Sequence, residues 1–326
     1  MRGIIFFLMF FIVFSVKSQD NFSEKLILMG NQFEITVVAE NKGSASVLIG
    51  LAVDEIKRIE SLISSWDKLS QTSLINRNAG LIPVKVDLEL YNLISRSIAI
   101  SQLTDGAFDI TFSLMDNIWV FDGSMTNLPL DSEIESSLSK VGYENIILDN
   151  INHTVFLKNK GMKISFGGIG KGYAAYKAKK VLVDNKVVSG IINASGDLSI
   201  WGKQATGEPW KVAITNPFSK EGIFAILPFS EGSIVTSGNY EKFTVINGQK
   251  YSHIINPKTG IPAQGIASVT IFSINAELAD ALATAVFVMG KEVGLDRVNQ
   301  LHDTECVIID IDGGITASNN IKIDKQ

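Results

Sequence analysis

Residues 32–39 read QFEITVVA and residues 44–63 read SASVLIGLAVDEIKRIESLI, and the hydrophobic period changes between them. In the first segment alternate residues are apolar, which is the pattern of a half-buried β-strand. In the second, apolar residues recur at spacings of three and four, which predicts an amphipathic helix. Its apolar positions are Val47, Leu48, Leu51, Ile56, Ile59, Leu62 and Ile63. The fold therefore opens with a strand that is followed by a helix.

The rest of the chain continues to mix helices with short strands. Helices are predicted at 87–103 (with Asp87 as N-cap), from a capping-box pattern at 132–135 to 142, at 173–184, from about 279 onward, and at 292–301. Hairpins are predicted at 146–157 and around 312–314, and short strands fill 187–269. Helices among many short antiparallel strands indicate an α+β fold.

Composition limits the class of protein and its partners. The chain has 326 residues and a net charge of −5 without a basic stripe, which argues against nucleic acid as a partner. Residues 1–19 resemble a cleaved secretory signal, because the apolar run at 4–14 is shorter than the about 20 residues that a spanning helix needs. We therefore expect an exported, periplasmic protein with one domain at 20–326, and the alternative is an uncleaved N-terminal anchor. Cys306 is the only cysteine, so no internal disulfide can form, and we expect it in a buried strand.

One turn and one helix together suggest a phosphate and metal site. The turn at 251–260 reads YSHIINPKTG, and its proline and final glycine fix the backbone beside His253. Asp280 and Thr284 lie four residues apart, so both project from one helix face. A carboxylate and a hydroxyl are hard oxygen ligands of the kind that hold Mg²⁺. The alternatives are that Asp280 compensates the helix dipole and that Thr284 bonds back to its own helix.

A glycine-rich segment, SFGGIGKGY at 165–173, could bring backbone amides close to an anion. It matches neither common phosphate motif. A Walker A loop needs Ser or Thr where Gly172 stands, and a dinucleotide fingerprint needs glycine in place of Tyr173. The other interpretation is a flexible crossing with a solvated Lys171. The segments TDGAFDIT at 104–111 and NASGD at 193–197 are either turns or ligand contacts on this basis.

Taken together, these segments resemble the ApbE family, the FAD:protein FMN transferases, and details such as NASGD and HIINP resemble its Bacteroidetes branch. The resemblance rests on six blocks in family order: 104–111, 167–173, 193–197, 236–238, 253–260 and 279–284. It implies a T-fold-like core and two intertwined lobes with mixed or antiparallel sheets and FAD in the groove between them. Members of the family use Mg²⁺ to move the FMN half of FAD onto a Thr or Ser hydroxyl and release AMP.

Carried onto this chain, the resemblance also implies the roles of single residues. It makes His253 the catalytic residue. The metal ligands would be Gly170, Asp280, Ala283 and Thr284. The FAD contacts would be Met29, Trp66, Ala107, Phe108, Asp109, Gly167, Tyr173, Asn193 and Ile255. The implied partner is an acceptor flavoprotein, such as a membrane-associated subunit of a Na⁺-pumping quinone reductase (Nqr) or Rnf-type complex. Two alternatives stay open: a Mg²⁺-dependent FAD pyrophosphatase, and a non-catalytic periplasmic FAD-binding protein.

Overall fold

The computed structural model describes residues 19–219 and 222–322. Its α-helices are α1 (Lys42–Ile63), α2 (Gln71–Arg77), α3 (Leu88–Leu103), α4 (Asp131–Leu138), α5 (Gly170–Asp184), α6 (Ala276–Met289) and α7 (Lys291–Asn299). Two 3-10 helices cover Ile110–Asn117 (η1) and Tyr143–Asn145 (η2). The strands are β1 (Asp20–Leu28), β2 (Asn31–Ala39), β3 (Val84–Lys85), β4 (Ile146–Asp149), β5 (Thr154–Leu157), β6 (Gly190–Ala194), β7 (Asp197–Trp201), β8 (Trp210–Thr215), β9 (Ile223–Phe229), β10 (Glu231–Gly238), β11 (Phe243–Ile246), β12 (Gln249–Ser252), β13 (Ile266–Ser273), β14 (Thr304–Asp310) and β15 (Ile315–Ala317).

An eight-stranded sheet forms the centre of the molecule, in the order β1-β2-β6-β7-β10-β13-β14-β15. Each neighbouring pair in this sheet is antiparallel. Smaller sheets pair β3-β5-β4, β8-β9 and β11-β12, and they are also antiparallel. The predicted α+β fold with antiparallel sheets is therefore confirmed.

The two faces of the main sheet are covered by different elements. Alternate residues of a strand face opposite sides, so Ile35 and Val37 of β2 pack toward the helices, whereas Val38 packs on the opposite face. Helices α1, α5 and α6 cover the first face. On the second face, Trp210 and Val212 of the β8-β9 hairpin pack against the sheet. The sheet is thus buried on both sides.

Most predicted elements lie where the sequence placed them. Strand β2, helices α1, α3 and α7, the β4-β5 hairpin and the β14-β15 hairpin match their predicted ranges within a few residues. Asp87 is the N-cap residue of α3, although its side chain makes no capping hydrogen bond. Cys306 is fully buried in β14, as expected.

The sequence prediction missed a strand and misplaced the starts of three helices. Strand β1 was missed, because its residues are mostly exposed and lack a clear apolar alternation. Helix α4 begins at Asp131, and the carboxylate of Glu133 accepts the backbone N–H of Leu130, so the capping interaction lies two residues before the predicted one. Helix α5 begins at Gly170 rather than residue 173, and α6 begins at Ala276 rather than residue 279.

The predicted signal segment, residues 1–19, lies outside the described residues except for its last residue. Among the helices within 19–219 and 222–322, none combines the length and the apolar character needed to cross a bilayer.

Helices α5 and α6 cross at Gly172 with almost no space between them. A Cβ added to Gly172 would lie 2.2 Å from the carbonyl oxygen of Ala276 and 2.7 Å from Cβ of Asp280. The backbone N–H of Gly172 also donates a 2.9 Å hydrogen bond to Oδ2 of Asp280. Only glycine fits this position without moving a helix, so the helix crossing depends on it.

Replacing Gly172 with alanine should therefore destabilise the protein. We expect Gly172→Ala to lower the free energy of unfolding by about 1–3 kcal/mol, because the new methyl group overpacks a rigid helix contact. Gly50, in the middle of α1, is the matched control: a Cβ there meets nothing within 4 Å. Gly50→Ala should raise stability by about 0.5–1 kcal/mol through helix propensity. Urea denaturation midpoints measure both effects, and a Gly172→Ala variant as stable as the wild type would contradict the close-packed crossing.

Candidate active site

A cavity of about 800 Å³ lies beside the α5-α6 crossing. Its wall is formed by the β1-β2 turn, the loop after α1, the segments around η1 and the start of α5, the β10 end, the turn after β12, and α6. Five of the six predicted sequence blocks contribute residues to this wall. The fold thus brings distant parts of the sequence to one concave surface, the usual form of a small-molecule site.

Eleven of the fourteen predicted site residues line this cavity. They are Met29, Trp66, Ala107, Phe108, Asp109, Gly167, Gly170, His253, Ile255, Asp280 and Thr284. Trp66 is 86% exposed and borders a second, shallower groove as well. Tyr173, Asn193 and Ala283 do not line the cavity.

Tyr173 lies on a different face of α5 from the cavity. It follows Lys171, a lining residue, by two positions, which is roughly 200° around a helix. Its ring is buried, and its hydroxyl donates a 2.7 Å hydrogen bond to Glu89 of α3. Tyr173 therefore ties α5 to α3, and the predicted FAD contact does not match its position.

Asn193 and Ala283 also have other surroundings. The Oδ1 atom of Asn193 accepts the backbone N–H of Gly196, so the side chain shapes the β6-β7 turn. Ala283 is fully buried in the hydrophobic core under α6, one residue before Thr284. Adjacent helical residues point about 100° apart, so a cavity-facing Thr284 turns Ala283 away. Neither side chain lines the cavity, and the contact predicted for the backbone of Ala283 stays a prediction.

Asp109 lines the cavity, but local backbone groups already occupy its carboxylate. Asp109 is the N-cap residue of η1: its Oδ1 accepts hydrogen bonds from the N–H and hydroxyl of Thr111, and its Oδ2 accepts the N–H of Tyr143. Burial raises the pKa of this carboxyl, and the same hydrogen bonds oppose the shift. The carboxylate shapes the cavity wall, as the structural interpretation of this block anticipated.

Asp280 and Thr284 face the cavity from α6, one turn apart. Asp280 is 2% exposed, and Gly172 fixes its Oδ2 atom through the 2.9 Å hydrogen bond. A Cβ added to Gly168 would lie 3.3 Å from Oγ1 of Thr284. Because Gly168 has no side chain, the Thr284 hydroxyl keeps its access to the cavity. The two oxygen-bearing groups are thus presented together by the glycine-rich segment.

Lys171 is paired with two carboxylates instead of solvated. Its Nζ atom lies 2.8 Å from Oδ2 of Asp197 and 3.9 Å from Oδ1 of Asp280. Burial alone would lower the pKa of Lys171, but both carboxylates raise it strongly. Burial raises the pKa of Asp197, which Lys171 opposes. A raised pKa favours the charged form of Lys171 but the neutral form of Asp197. The 2.8 Å separation between the two groups favours the charged form of both.

His253 enters the cavity from the turn after β12. Its Nδ1 atom lies 3.2 Å from the carbonyl oxygen of Lys242, which can only accept, so Nδ1 carries the proton in the neutral ring. Nε2 lies 4.0 Å from Oε2 of Glu241. Desolvation by the surrounding protein lowers the pKa of His253 to about 4. At neutral pH the imidazole is therefore uncharged, and Nε2 has a free lone pair.

An aromatic wall completes the cavity. Phe121 stacks on Trp119 at a centroid distance of 6.2 Å, and Trp119 donates a hydrogen bond to the carbonyl oxygen of Gly260. Phe112 and Phe108 also line the cavity. Flat apolar rings of this kind bind aromatic ligands by stacking and by excluding water.

The oxygen donors in the cavity fit Mg²⁺. Within 19–219 and 222–322, no three His, Cys, Asp or Glu side chains cluster as a metal site. A site at Asp280 would instead combine one carboxylate with the Thr284 hydroxyl and the Gly170 carbonyl. Mg²⁺ is usually held by one or two carboxylates together with substrate phosphates and water. One carboxylate together with neutral oxygen donors is compatible with that pattern.

The sequence interpretation missed several lining residues. They are Glu60, Phe112, Trp119, Phe121, Lys171, Glu241 and Lys242. Lys171 lay inside a recognised block, and one of the two interpretations of that block left it in solvent. Glu241 follows the recognised block at 236–238. Trp119 and Phe121 had no local signal, because their role depends on a turn more than 130 residues away, as the Trp119–Gly260 hydrogen bond shows.

The chain is similar to curated bacterial proteins along most of its length. It is 28% identical over 290 residues to the FAD:protein FMN transferase of Klebsiella pneumoniae (strain 342), covering 88% of this chain and 89% of that protein. It is 29% identical over 247 residues to the protein of the same name from Escherichia coli (strain K12), covering 74% and 70%.

Solved structures share the fold. The ApbE protein of Thermotoga maritima matches with a TM-score of 0.84 and 34% identity, over 92% of this chain and 97% of that one. The flavin transferase ApbE from Vibrio cholerae matches with a TM-score of 0.80 and 23% identity, over 92% and 96%, which supports the fold alone. The ApbE family model matches residues 29–308, which include every predicted site residue. The protein therefore belongs to the ApbE family.

Proposed function

We propose that this protein transfers the FMN half of FAD to a Thr or Ser hydroxyl of an acceptor protein, with Mg²⁺, and releases AMP. Family membership and the names of the curated relatives support flavin transfer. The observation that carries the proposal is the meeting of His253, Asp280 and Thr284, from separate parts of the chain, in one cavity. These residues supply a general base and oxygen ligands for a metal in the same cavity.

The cavity suits FAD in size and chemistry. About 800 Å³ is within the range of sites for cofactor-sized ligands. The half-buried rings of Phe112 and Phe121 on the cavity wall suit a flavin or adenine ring, whereas Trp119 is 2% exposed and stacks on Phe121. Gly167 and Gly168 let the backbone approach the ligand closely.

Gly170, Asp280 and Thr284 would hold the metal. When bound, Mg²⁺ would neutralise charge on the pyrophosphate and on the departing phosphate. Asp280 is suited to this role because Gly172 fixes its Oδ2, which leaves Oδ1 directed to Lys171 and the cavity. Thr284 adds a neutral oxygen one turn further along α6.

His253 would act as the general base. Its Nε2 takes the proton of the acceptor hydroxyl, and the hydroxyl oxygen forms a bond to the FMN phosphorus. The bond from that phosphorus to the bridging oxygen breaks, and this oxygen leaves with AMP. Lys242 orients the ring through its carbonyl group, and Glu241, 4.0 Å from Nε2, stabilises the imidazolium that forms.

The acceptor and the cellular location follow from the same proposal. We propose an exported protein whose residues 20–326 form one domain and whose acceptor is a flavoprotein subunit with a Ser or Thr flavinylation site. Subunits of the Nqr or Rnf type are the candidates that the family resemblance suggests.

Mass spectrometry of a candidate acceptor incubated with the protein, FAD and Mg²⁺ tests the activity. Transfer predicts an acceptor that carries FMN through a phosphoester bond, together with free AMP. Free FMN and AMP with an unmodified acceptor would instead favour the pyrophosphatase. Tight FAD binding without AMP under any metal would favour a binding protein.

Asp280→Asn should abolish the metal dependence of the reaction while the fold is retained. The amide keeps the size of the side chain but removes the charge that binds Mg²⁺, so we expect at least about 100-fold slower transfer. The melting-temperature increase that Mg²⁺ causes in the wild type should also vanish. Asp296→Asn, at an exposed position on α7, is the control. A fully active Asp280→Asn variant would place the metal elsewhere.

His253→Gln should slow transfer by about 10²–10⁴-fold and leave FAD affinity unchanged, because it removes only the base. The pH profile provides a second readout. With a pKa of about 4, the ring is neutral above about pH 5, so kcat/KM should fall only as the pH drops through about 4. The acidic limb should disappear in His253→Gln. A limb near pH 6.5 would mean that the ring is not desolvated as described.

Met29 is in a conformation that its residue type disfavours. Met29 and Gly30 form the two-residue β1-β2 turn with φ of 52° and 69°, a geometry that favours Asn-Gly. The β11-β12 turn has the same geometry and does contain Asn247-Gly248, with φ of 51° and 78°. Met29 lines the cavity, which explains why a strained residue stands there.

Met29→Asn should therefore raise the unfolding free energy by about 1 kcal/mol and weaken FAD binding several-fold. The reciprocal variant Asn247→Met should lose similar stability and bind FAD normally. Denaturation midpoints and FAD titrations of both variants measure the contrast. Unchanged FAD affinity in Met29→Asn would show that the methionine side chain does not contact the substrate.

A further inference from the structure

A buried ion pair lies directly beside the proposed metal ligand. Asp197, the first residue of β7, is 3% exposed, and its Oδ2 atom lies 2.8 Å from Nζ of Lys171. Among the described residues, no hydrogen bond to this oxygen accompanies the ion-pair contact. A buried carboxylate with so few partners is costly, because its lost hydration is not replaced. The pair therefore needs an explanation beyond packing.

The geometry of Lys171 directs its charge to the cavity. Lys171 is the second residue of α5, next to Gly170, and its side chain is 25% exposed on the cavity side. Nζ lies 3.9 Å from Oδ1 of Asp280, which is beyond hydrogen-bond length. An ammonium group has three donors, and Asp197 accounts for one direction only. The remaining donors are available to a ligand.

The charges around Lys171 also explain why it stays in place. Asp197 lies behind the ammonium group, and Asp280 and Glu241 lie on the cavity side. A lysine with four flexible carbons would otherwise extend into solvent and lose rotamer freedom on binding. Asp197 removes that freedom before the ligand arrives, which is a form of preorganisation.

We propose that the ammonium group of Lys171 binds the pyrophosphate of FAD, and that Asp197 is its positioning residue. The identity of the ligand rests on the function proposed above. Lys171 would then act next to the proposed metal ligand, because its Nζ atom lies 3.9 Å from Oδ1 of Asp280. It follows that FAD binding has a part that does not require metal. If the ion pair were purely structural, Lys171 would contribute nothing to that metal-independent affinity.

Titration of FAD into the protein in EDTA, followed by flavin fluorescence, tests this proposal without metal or acceptor. Lys171→Met should bind FAD about 10- to 100-fold more weakly, as expected for loss of a charge-assisted hydrogen bond. Lys171→Arg retains the charge and should stay within a few-fold of the wild type. Asp197→Asn keeps the lysine but removes the charge that holds it in place. The FAD affinity of this variant should therefore lie between those of Lys171→Met and the wild type. Lys180→Met, which removes an exposed lysine paired with Asp184 on the same helix, should not change affinity.

Inorganic pyrophosphate is a second probe, because it retains only the part of FAD that Lys171 would contact. It should compete with FAD in the wild type and much less in Lys171→Met. Loss of stability in Lys171→Met with unchanged affinity for both ligands in EDTA would overturn the proposal, as would a wild type that binds neither ligand without metal. Since no transfer is measured, failure of the transferase proposal alone would leave these affinities as predicted.

Discussion

The hydrogen bond from the Gly172 backbone to Asp280 links the fold to the site. It exists because α5 and α6 approach so closely that any side chain at Gly172 would collide with Ala276 and Asp280. The same contact fixes one carboxylate oxygen of Asp280 and leaves the other toward the cavity. Helix packing and ligand geometry therefore depend on one glycine, and a change in the crossing would move the proposed metal ligand directly.

The ionisable side chains near this contact include an ion pair and a neutral histidine. Lys171 and Asp197 form an ion pair in which Asp197 is buried and Lys171 lines the cavity, and Oδ1 of Asp280 lies 3.9 Å from the Lys171 ammonium group. His253 stays neutral because its surroundings desolvate it, and the Lys242 carbonyl selects the ring tautomer that leaves Nε2 free. A neutral base and an anionic metal site can thus coexist in one cavity without the base becoming protonated by its acidic neighbours.

Hydrophobic periodicity in the sequence predicted the strands and helices whose buried residues recur at regular spacing. The period change at 32–63 located β2 and α1, and the four-residue spacing of Asp280 and Thr284 placed both on one face of α6. The pattern failed where tertiary packing overrides propensity. Glycines at 170 and 172 suggested a loop, yet both belong to α5. The close approach of α6 leaves no room for a side chain at Gly172, and a Cβ at Gly170 would lie 2.9 Å from Ile63 of α1. The partner of Lys171 could not be predicted from local pattern, because Asp197 belongs to a different element, β7.

The most direct test of this account is a crystal of the protein with FAD and Mn²⁺ in place of Mg²⁺, examined for the anomalous signal of manganese. The account predicts one peak between the free oxygen of Asp280, the Thr284 hydroxyl and the pyrophosphate, with Lys171 on the opposite side of the same phosphates. A manganese peak away from Asp280, or a pyrophosphate outside this cavity, would contradict it.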